Sequence, residues 1–243
     1  MKVLRLHRWA VTPRQAVRIQ LRLRERFEPL DRLPPIKQVA GADVALDLRR
    51  KVAIAGVIVY EFPEMVEMER VWAQRPLTFP YVPGLLSFRE IPVLLRAFSK
   101  LRHLPDLIFY DGHGYAHPRR FGIACHLGVL LDCPAIGCAK SILVGRPEEP
   151  GSQAGSWAAL IDNGETIGAV LRAREGTKPV YISQGHRISL ERAVDFARRV
   201  IDGFRIPRPT READHFVEQV KREMAEEVRA GRGKAAFRKR HRE

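Results

Sequence analysis

The chain has 243 residues, 45% of them hydrophobic, which predicts one globular domain and excludes a disordered chain. Its 42 lysine and arginine residues outnumber 28 acidic ones, and the net charge of +14 favours nucleic acid as a partner over an anionic membrane surface. No apolar run reaches membrane-spanning length and the start lacks a secretory pattern, so we expect a cytoplasmic protein without a membrane partner.

The first third of the chain predicts a helix followed by three strands. Thr12 and Pro13 are a capping residue and a proline at the first helical position, and the apolar periodicity after them predicts an amphipathic helix to about Phe27. Val- and Ile-rich segments with short connections then predict antiparallel strands over residues 39–48, 51–62 and 66–75.

The rest of the chain alternates helices and strands. Helices are predicted over residues 90–101, 122–131, 189–203 and 210–229, and strands over residues 107–111, 135–139, 156–161, 167–174 and 180–183. This order predicts an α/β fold with a mixed sheet flanked by helices, in a single domain over residues 1–230. Residues 231–243 form a basic tail that we expect to be flexible and to add phosphate contacts.

Three cysteines, Cys125, Cys133 and Cys138, lie close together in the sequence and invite comparison with a zinc site that includes His126. They form no CxxC pair, and two of them stand in apolar helix or strand segments. Reduced thiols in the core are therefore the preferred interpretation.

A proline-rich segment, PYVPGLLSFRE over residues 80–90, is the most distinctive motif. The prolines on either side of Tyr81 predict a stiff, exposed turn, which suits an aromatic ring that wedges into a base stack. Gly84 allows a flat ligand to approach the backbone closely. Glu90 is predicted at a helix start, where its carboxylate can face a metal. Taken alone, the segment is equally consistent with an ordinary loop before a helix.

Three acidic residues are candidates for a metal site. Asp43 lies in an apolar strand, where a carboxylate is costly unless it is paired or bound to metal, although a bond to a neighbouring turn is the alternative. Asp111 ends a strand before Gly-His-Gly, the place where α/β sheets bind ligands. With Glu90 they offer hard oxygen donors that suit Mg²⁺ or Mn²⁺ rather than zinc. Lys140, also at a strand end, either extends to solvent or places positive charge beside these carboxylates.

Together, PYVPGLLSFRE, DGHGYAHPR over residues 111–119, Asp43 in VAGADVAL and the Ala-Lys-Ser at residues 139–141 resemble the endonuclease V family of deoxyinosine-directed nucleases. The resemblance runs from about Thr12 to about Phe216. The order of elements is similar to the ribonuclease-H-like fold, whose first and fourth strands lie side by side. That neighbourhood would bring Asp43 and Asp111 together.

The resemblance implies an Mg²⁺-dependent enzyme, with Mn²⁺ as a substitute, in which Asp43, Glu90 and Asp111 bind the catalytic metal and Lys140 is catalytic. His215 also matches a family position near the metal. The implied reaction is DNA repair: the enzyme recognises deoxyinosine, and water attacks the second phosphodiester bond 3′ to it with the help of the metal. The products would be a 3′ hydroxyl and a 5′ phosphate.

The same resemblance implies how the lesion is recognised. Tyr81 would fill the gap left when the damaged nucleotide rotates out of the duplex. The pocket for the flipped hypoxanthine would be lined by Gly84, Leu85, Gly112 and Ile123. Phosphate contacts or support of the metal site are predicted for Arg89, His117 and Arg119.

Two other functions stay open at this level. The same chemistry on inosine-containing RNA would make the protein an endoribonuclease, and a 2′-hydroxyl contact would distinguish the two substrates. A non-catalytic nucleic-acid-binding protein on the same scaffold would be expected to lack an acidic ligand, whereas Asp43, Glu90 and Asp111 are all present. A glycosylase needs no metal cluster and is disfavoured. We expect a monomer.

Overall fold

The computed structural model describes residues 3–230, which form a nine-stranded mixed sheet and five helices. In chain order the elements are α1 (Pro13–Arg24), β1 (Gln38–Asp47), β2 (Val52–Glu61), β3 (Glu67–Pro76), α2 (Leu86–Phe98), β4 (Leu107–Tyr110), α3 (Ile123–Leu131), β5 (Ala135–Ala139), β6 (Arg146–Pro147), β7 (Trp157–Asp162), β8 (Glu165–Leu171), β9 (Val180–Gln184), α4 (Leu190–Arg199) and α5 (Arg208–Arg229).

The strands lie in the order β3-β2-β1-β4-β5-β9-β8-β7-β6. Strands β1 to β3 form an antiparallel meander, and β1, β4 and β5 are parallel neighbours. From β5 onward the pairs are antiparallel again, so the parallel part of the sheet is confined to its centre. The predicted ribonuclease-H-like α/β sheet, with the first and fourth strands adjacent, is confirmed.

Helices cover both faces of the sheet, and two apolar cores result. One core joins the sheet to α4 and α5 through residues such as Phe196 and Phe216, and the other joins it to α2 and α3 through Leu94 and Leu127. Side chains of a strand alternate between the two faces, as Val39 and Ala40 do here. Burial on both faces explains why the central strands are almost continuously apolar.

Two glycines allow α5 to approach the sheet closely. A Cβ on Gly41 of β1 would lie 1.9 Å from the Pro209 carbonyl oxygen, and one on Gly56 of β2 would lie 2.6 Å from Val217. Because side chains alternate with a period of two, Asp43 belongs to the same face as Gly41. The missing side chains therefore let α5 lie directly over the segment of β1 that carries Asp43.

Several element boundaries differ from the sequence prediction. Helix α2 begins at Leu86 rather than Glu90, so Glu90 lies within the helix instead of at its start. The start was missed because its N-cap, Leu85, makes no side-chain cap bond and Pro92 stands inside the helix. Helix α1 ends at Arg24 rather than about Phe27, and the two-residue strand β6 was not predicted.

All three cysteines are buried and free, as predicted. Within the described residues no helix is long and apolar enough to cross a membrane. The basic tail over residues 231–243 lies outside the described residues, so the division into one domain and a tail stays a prediction.

Candidate active site

Three aspartates from distant parts of the chain meet at the centre of the sheet. Asp43 lies on β1, Asp111 directly follows β4, and Asp214 lies on α5. One carboxylate oxygen from each residue lies within 4.8 Å of the others. The parallel pairing of β1 with β4 brings the first two together, and the close packing of α5 adds the third. The distances suit three ligands of a single cation.

Lys140 supplies the positive charge of this cluster. It directly follows β5, and its Nζ lies 2.6 Å from Asp111 Oδ2 and 3.1 Å from Asp214 Oδ2. One ammonium group cannot balance three carboxylates. The site therefore retains an excess of negative charge when all its groups are ionised.

The pKa values of the cluster reflect this crowding. Burial and the neighbouring carboxylates, Asp111 first, raise the pKa of Asp43 well above its ordinary value. Burial also raises the pKa of Asp111, although Lys140 partly offsets the effect. Burial opposes ionisation of Lys140 as well, but its contacts with Asp111 and Asp214 raise its pKa overall. A bound divalent cation would relieve the repulsion between the carboxylates.

Glu90 lies beside the cluster and is held by a different partner. It is buried on α2 and accepts a hydrogen bond from the Tyr110 hydroxyl. Burial raises its pKa to about 8, with a further contribution from Asp111 and an opposing one from the Tyr110 hydrogen bond. Its carboxylate does not belong to the group of three converging aspartates. A role of Glu90 as a metal ligand therefore stays a prediction.

Asp214 was not predicted from the sequence. The predicted residue was the neighbouring His215, which is exposed on α5 and is not one of the three converging residues. The available signal was weak: Asp214 stands four residues after Thr210 and three before Val217, and both are buried. A carboxylate at the edge of an apolar helical stripe is a common surface feature. The predicted metal role of His215 stays a prediction.

The proline-rich loop over residues 80–84 presents Tyr81 to solvent. The Tyr81 side chain is 72% exposed, and the guanidinium carbon of Arg89 lies 5.8 Å from the centre of its ring. Arg89 also donates to the Phe79 carbonyl oxygen at 3.5 Å. This placement gives Arg89 a supporting contact within the loop. The wedge role of Tyr81 stays a prediction.

His117 and Arg119, predicted to contact phosphate or to support the metal site, both donate to the Gly84 carbonyl oxygen. Burial lowers the pKa of His117 to about 4, so its imidazole is neutral at pH 7. At neutral pH His117 is therefore a neutral hydrogen-bond donor, and the predicted roles of His117 and Arg119 stay predictions.

The four residues predicted to line the hypoxanthine pocket form two adjacent pairs. Gly84 precedes Leu85, which is buried, and a Cβ on Gly112 would lie 2.9 Å from Cγ2 of the buried Ile123. The assignment of a base pocket to these residues stays a prediction.

The fold and the acidic cluster define a nuclease of the ribonuclease-H-like class. The family model described as Endonuclease V matches residues 17–215. An endonuclease V of Trichormus variabilis is 48% identical over 215 residues, which cover 88% of this chain and 97% of the relative. The crystal structure of endonuclease V from Streptomyces avermitilis has a TM-score of 0.86 at 39% identity and covers 93% of this chain and 100% of its own. The chain belongs to the endonuclease V family.

A further solved structure contains nucleic acid. Ciona intestinalis endonuclease V, bound to a 23mer DNA with an inosine followed by a ribo-adenosine, has a TM-score of 0.78 at 26% identity and covers 88% of this chain and 100% of its own.

Proposed function

We propose that this protein is a DNA repair endonuclease that recognises deoxyinosine and hydrolyses the second phosphodiester bond on its 3′ side. The observation that carries the proposal is the convergence of Asp43, Asp111 and Asp214 beside Lys140. The Ciona relative, which binds inosine-containing DNA, supports the choice of substrate. The products would be a 3′ hydroxyl and a 5′ phosphate.

The residues of the cluster fit a hard divalent cation. All three converging donors are carboxylate oxygens, which Mg²⁺ and Mn²⁺ prefer, and no cysteine or histidine belongs to the set. A bound cation would neutralise the excess negative charge and activate water for attack on phosphorus. We propose Mg²⁺ as the cofactor, with Mn²⁺ as a substitute.

Different residues would bind the cation, stabilise the developing charge and stack on the bases. Asp43, Asp111 and Asp214 would hold the cation at the centre of the sheet. Lys140, held by Asp111 and Asp214, would place its ammonium group near the phosphate, where negative charge develops during displacement. Tyr81 would stack in the gap that the rotated nucleotide leaves in the duplex.

A cationic face on α1 supports nucleic acid as the partner. Arg8, Arg18 and Arg22, with Gln15, line a shallow recess of about 410 Å³ between α1 and the segment before it. All three arginines are exposed, and none forms an ion pair with an acidic side chain among residues 3–230. Exposed guanidinium groups that lack an acidic partner are suited to contacts with a phosphodiester backbone.

Replacing Arg8, Arg18 and Arg22 together by Gln is expected to weaken binding of a deoxyinosine duplex and to reduce the salt dependence of its affinity. Each lost phosphate contact lowers the slope of log K against log salt by about 0.9, so the triple variant should lose roughly 2–3 from the slope. Fluorescence anisotropy at several salt concentrations measures it. In the control, exposed Arg96, Arg174 and Arg192 are replaced by Gln, which removes the same charge elsewhere on the surface. An equal decrease in the slope for this control would refute a specific role of Arg8, Arg18 and Arg22 in binding.

Inosine-containing RNA is the second candidate substrate. The nucleic acid bound by the Ciona relative carries a ribonucleotide directly after the inosine. A ribonucleotide at that place is therefore compatible with binding in a relative of the same fold. In that case the same carboxylates would act on an RNA strand, and the protein would be an endoribonuclease.

Cleavage of end-labelled strands tests the proposal. We expect a single nick at the second phosphodiester 3′ to deoxyinosine with Mg²⁺, no nick with EDTA or with adenine in place of hypoxanthine, and no nick by Asp43→Ala. Cleavage of only an inosine-containing RNA would select the second candidate. Binding of either strand without cleavage would refute both and leave a non-catalytic binding protein. Sedimentation of the same preparation tests the expected monomer.

A further inference from the structure

The carbonyl oxygen of Gly84 is the acceptor for three side chains. Gln20 Nε2 lies 3.0 Å from it, His117 Nε2 lies 2.9 Å from it, and Arg119 Nη2 lies 2.6 Å from it. Gly84 has a φ of +77° and closes the loop over residues 80–84 before α2 begins. We name Gln20, His117 and Arg119 the Gly84 clamp.

The hydrogen bonds of His117 define its role as a donor. The backbone N–H of Arg119 donates to His117 Nδ1 at 3.1 Å, so Nδ1 is the acceptor and Nε2 carries the proton. Burial lowers the pKa of His117 to about 4, which keeps this single tautomer at neutral pH. His117 therefore donates to Gly84, as the Gln20 amide and the Arg119 guanidinium do.

Gln20 connects the clamp to α1. It is 1% exposed, and both ends of its amide are used: Oε1 accepts from Arg119 Nε at 2.7 Å, and Nε2 also lies 3.3 Å from the Phe121 carbonyl oxygen. A polar side chain this deeply buried between two apolar neighbours on its helix, Ala16 and Leu23, is costly unless its hydrogen bonds are made. Its contacts lie on the loop and on the segment after β4, not on α1 itself.

The clamp holds Gly84, the residue of this loop with the greatest backbone freedom. Prolines at positions 80 and 83 restrict the backbone on both sides of Tyr81, whereas Gly84 has no such restriction. The backbone N–H of Leu85, directly after Gly84, donates to the Val82 carbonyl oxygen at 2.9 Å, so a fixed Gly84 carbonyl restricts the backbone next to Tyr81. A Cβ on Gly84 would lie 2.7 Å from Arg119 Nη2, so the clamp closes tightly around this position.

We propose that Gln20 is a positioning residue that, through the Gly84 clamp, holds Tyr81 at a set distance from the catalytic aspartates. This inference rests on the proposed function, because it assigns the loop to lesion recognition. The clamp would determine which phosphodiester bond reaches the cluster when Tyr81 occupies the stack. A displacement of about 1 Å in such a positioning group is enough to cost about 100-fold in rate.

Two substitutions of Gln20 test the proposal. Gln20→Ala removes every bond of the amide, and Gln20→Glu retains an acceptor for Arg119 but loses the donor to Gly84. With either variant we expect faster hydrogen exchange in the peptide over residues 80–88 and a fall in single-turnover cleavage of the deoxyinosine duplex of about 10- to 100-fold. We also expect cuts at bonds adjacent to the normal one. The increase in Tm on adding Mg²⁺ should stay unchanged, because the cluster is intact.

Leu23→Ala is the matched control. Leu23 is buried on the same helix and packs against Phe121, Cys125 and Val129. Phe121 also accepts a hydrogen bond from Gln20, but truncation of Leu23 removes none of the three hydrogen bonds to the Gly84 carbonyl oxygen. If Leu23→Ala reproduced the exchange pattern and the misplaced cuts, Gln20 would be a structural residue only and the proposal would be overturned. An unchanged cleavage position in both Gln20 variants would overturn it too.

The exchange measurement needs no nucleic acid, so it separates this inference from the proposed function. If the unmodified protein failed to cleave deoxyinosine DNA while the Gln20 variants still freed the loop, the proposed function would fail and the clamp would stand as a loop anchor. If the loop stayed protected in the variants, the clamp itself would be refuted.

Discussion

Replacing Asp214 by Asn is expected to reduce metal-dependent cleavage of deoxyinosine DNA by more than about 100-fold. Loss of a group that merely orients a metal ligand costs about 10- to 100-fold, and Asp214 offers a ligand oxygen within 4.8 Å of those of Asp43 and Asp111. The substitution also removes one of the two carboxylates that hold Lys140. Single-turnover kinetics over a range of Mg²⁺ concentrations would show weaker metal affinity together with a lower maximal rate.

His215→Ala and Glu218→Gln are the controls for this prediction. His215 is the adjacent residue that the sequence indicated, and Glu218 is a carboxylate one turn further along α5, paired with Lys221. We expect both variants to retain cleavage within about tenfold. If His215→Ala lost most of its cleavage activity and Asp214→Asn lost little, the metal ligand from α5 would be the His215 imidazole and not the Asp214 carboxylate.

In the absence of divalent cations, Glu90→Gln is expected to stabilise the protein increasingly as the pH rises. The pKa of Glu90 is raised from 4.5 to about 8, so its contribution to stability is complete below pH 4.5 and is lost as the pH rises through about 8. That shift corresponds to about 5 kcal/mol, an upper value for a buried, interacting carboxyl. A glutamine keeps an acceptor for the Tyr110 hydroxyl and adds no charge.

The quantity to measure is the difference in the free energy of unfolding between variant and wild type at pH 5 and pH 8 in EDTA. Burial lowers the pKa values of His117 and His126, so their contribution to stability is lost as the pH falls below about 6.5. This contribution is the same in both proteins and therefore cancels in the difference. We expect a difference near zero at pH 5 and about 3–5 kcal/mol in favour of Glu90→Gln at pH 8. A difference independent of pH would contradict the raised pKa.

Glu69→Gln provides a control of opposite sign. Burial acts to raise the pKa of Glu69, but hydrogen bonds from the backbone N–H groups of His103 and Arg102 outweigh it and lower the pKa overall. Its contribution is therefore present above pH 4.5 and is lost as the pH falls through the lower value of the folded state. We expect Glu69→Gln to destabilise the protein at pH 8 and to have less effect in acid.

The sequence by itself predicted most strands of the sheet and two of the three converging aspartates, Asp43 and Asp111. The apolar strands and the capping residues of α1 and α4 are local patterns, so they were predicted near their observed positions. Asp43 and Asp111 were candidates for a similar reason, since each interrupts or ends an apolar strand. The pairing of the first and fourth strands was implied by the resemblance to the ribonuclease-H-like fold. Lys140 directly follows a strand, and its catalytic role was implied by the resemblance to the endonuclease V family.

Only the tertiary structure showed that Asp214 joins the cluster, that Tyr110 is the partner of Glu90 and that three side chains hold Gly84. Asp214 joins the cluster only because glycines in β1 and β2 let α5 approach the sheet. Gln20 meets Gly84 across 64 positions of sequence, and on a helix it resembles any other polar residue. Such contacts depend on how helices and strands pack against one another. Periodicity and capping residues predict each helix or strand separately, so they do not predict these contacts. Long-range packing, rather than residue type, therefore selected the third aspartate and the support of the recognition loop.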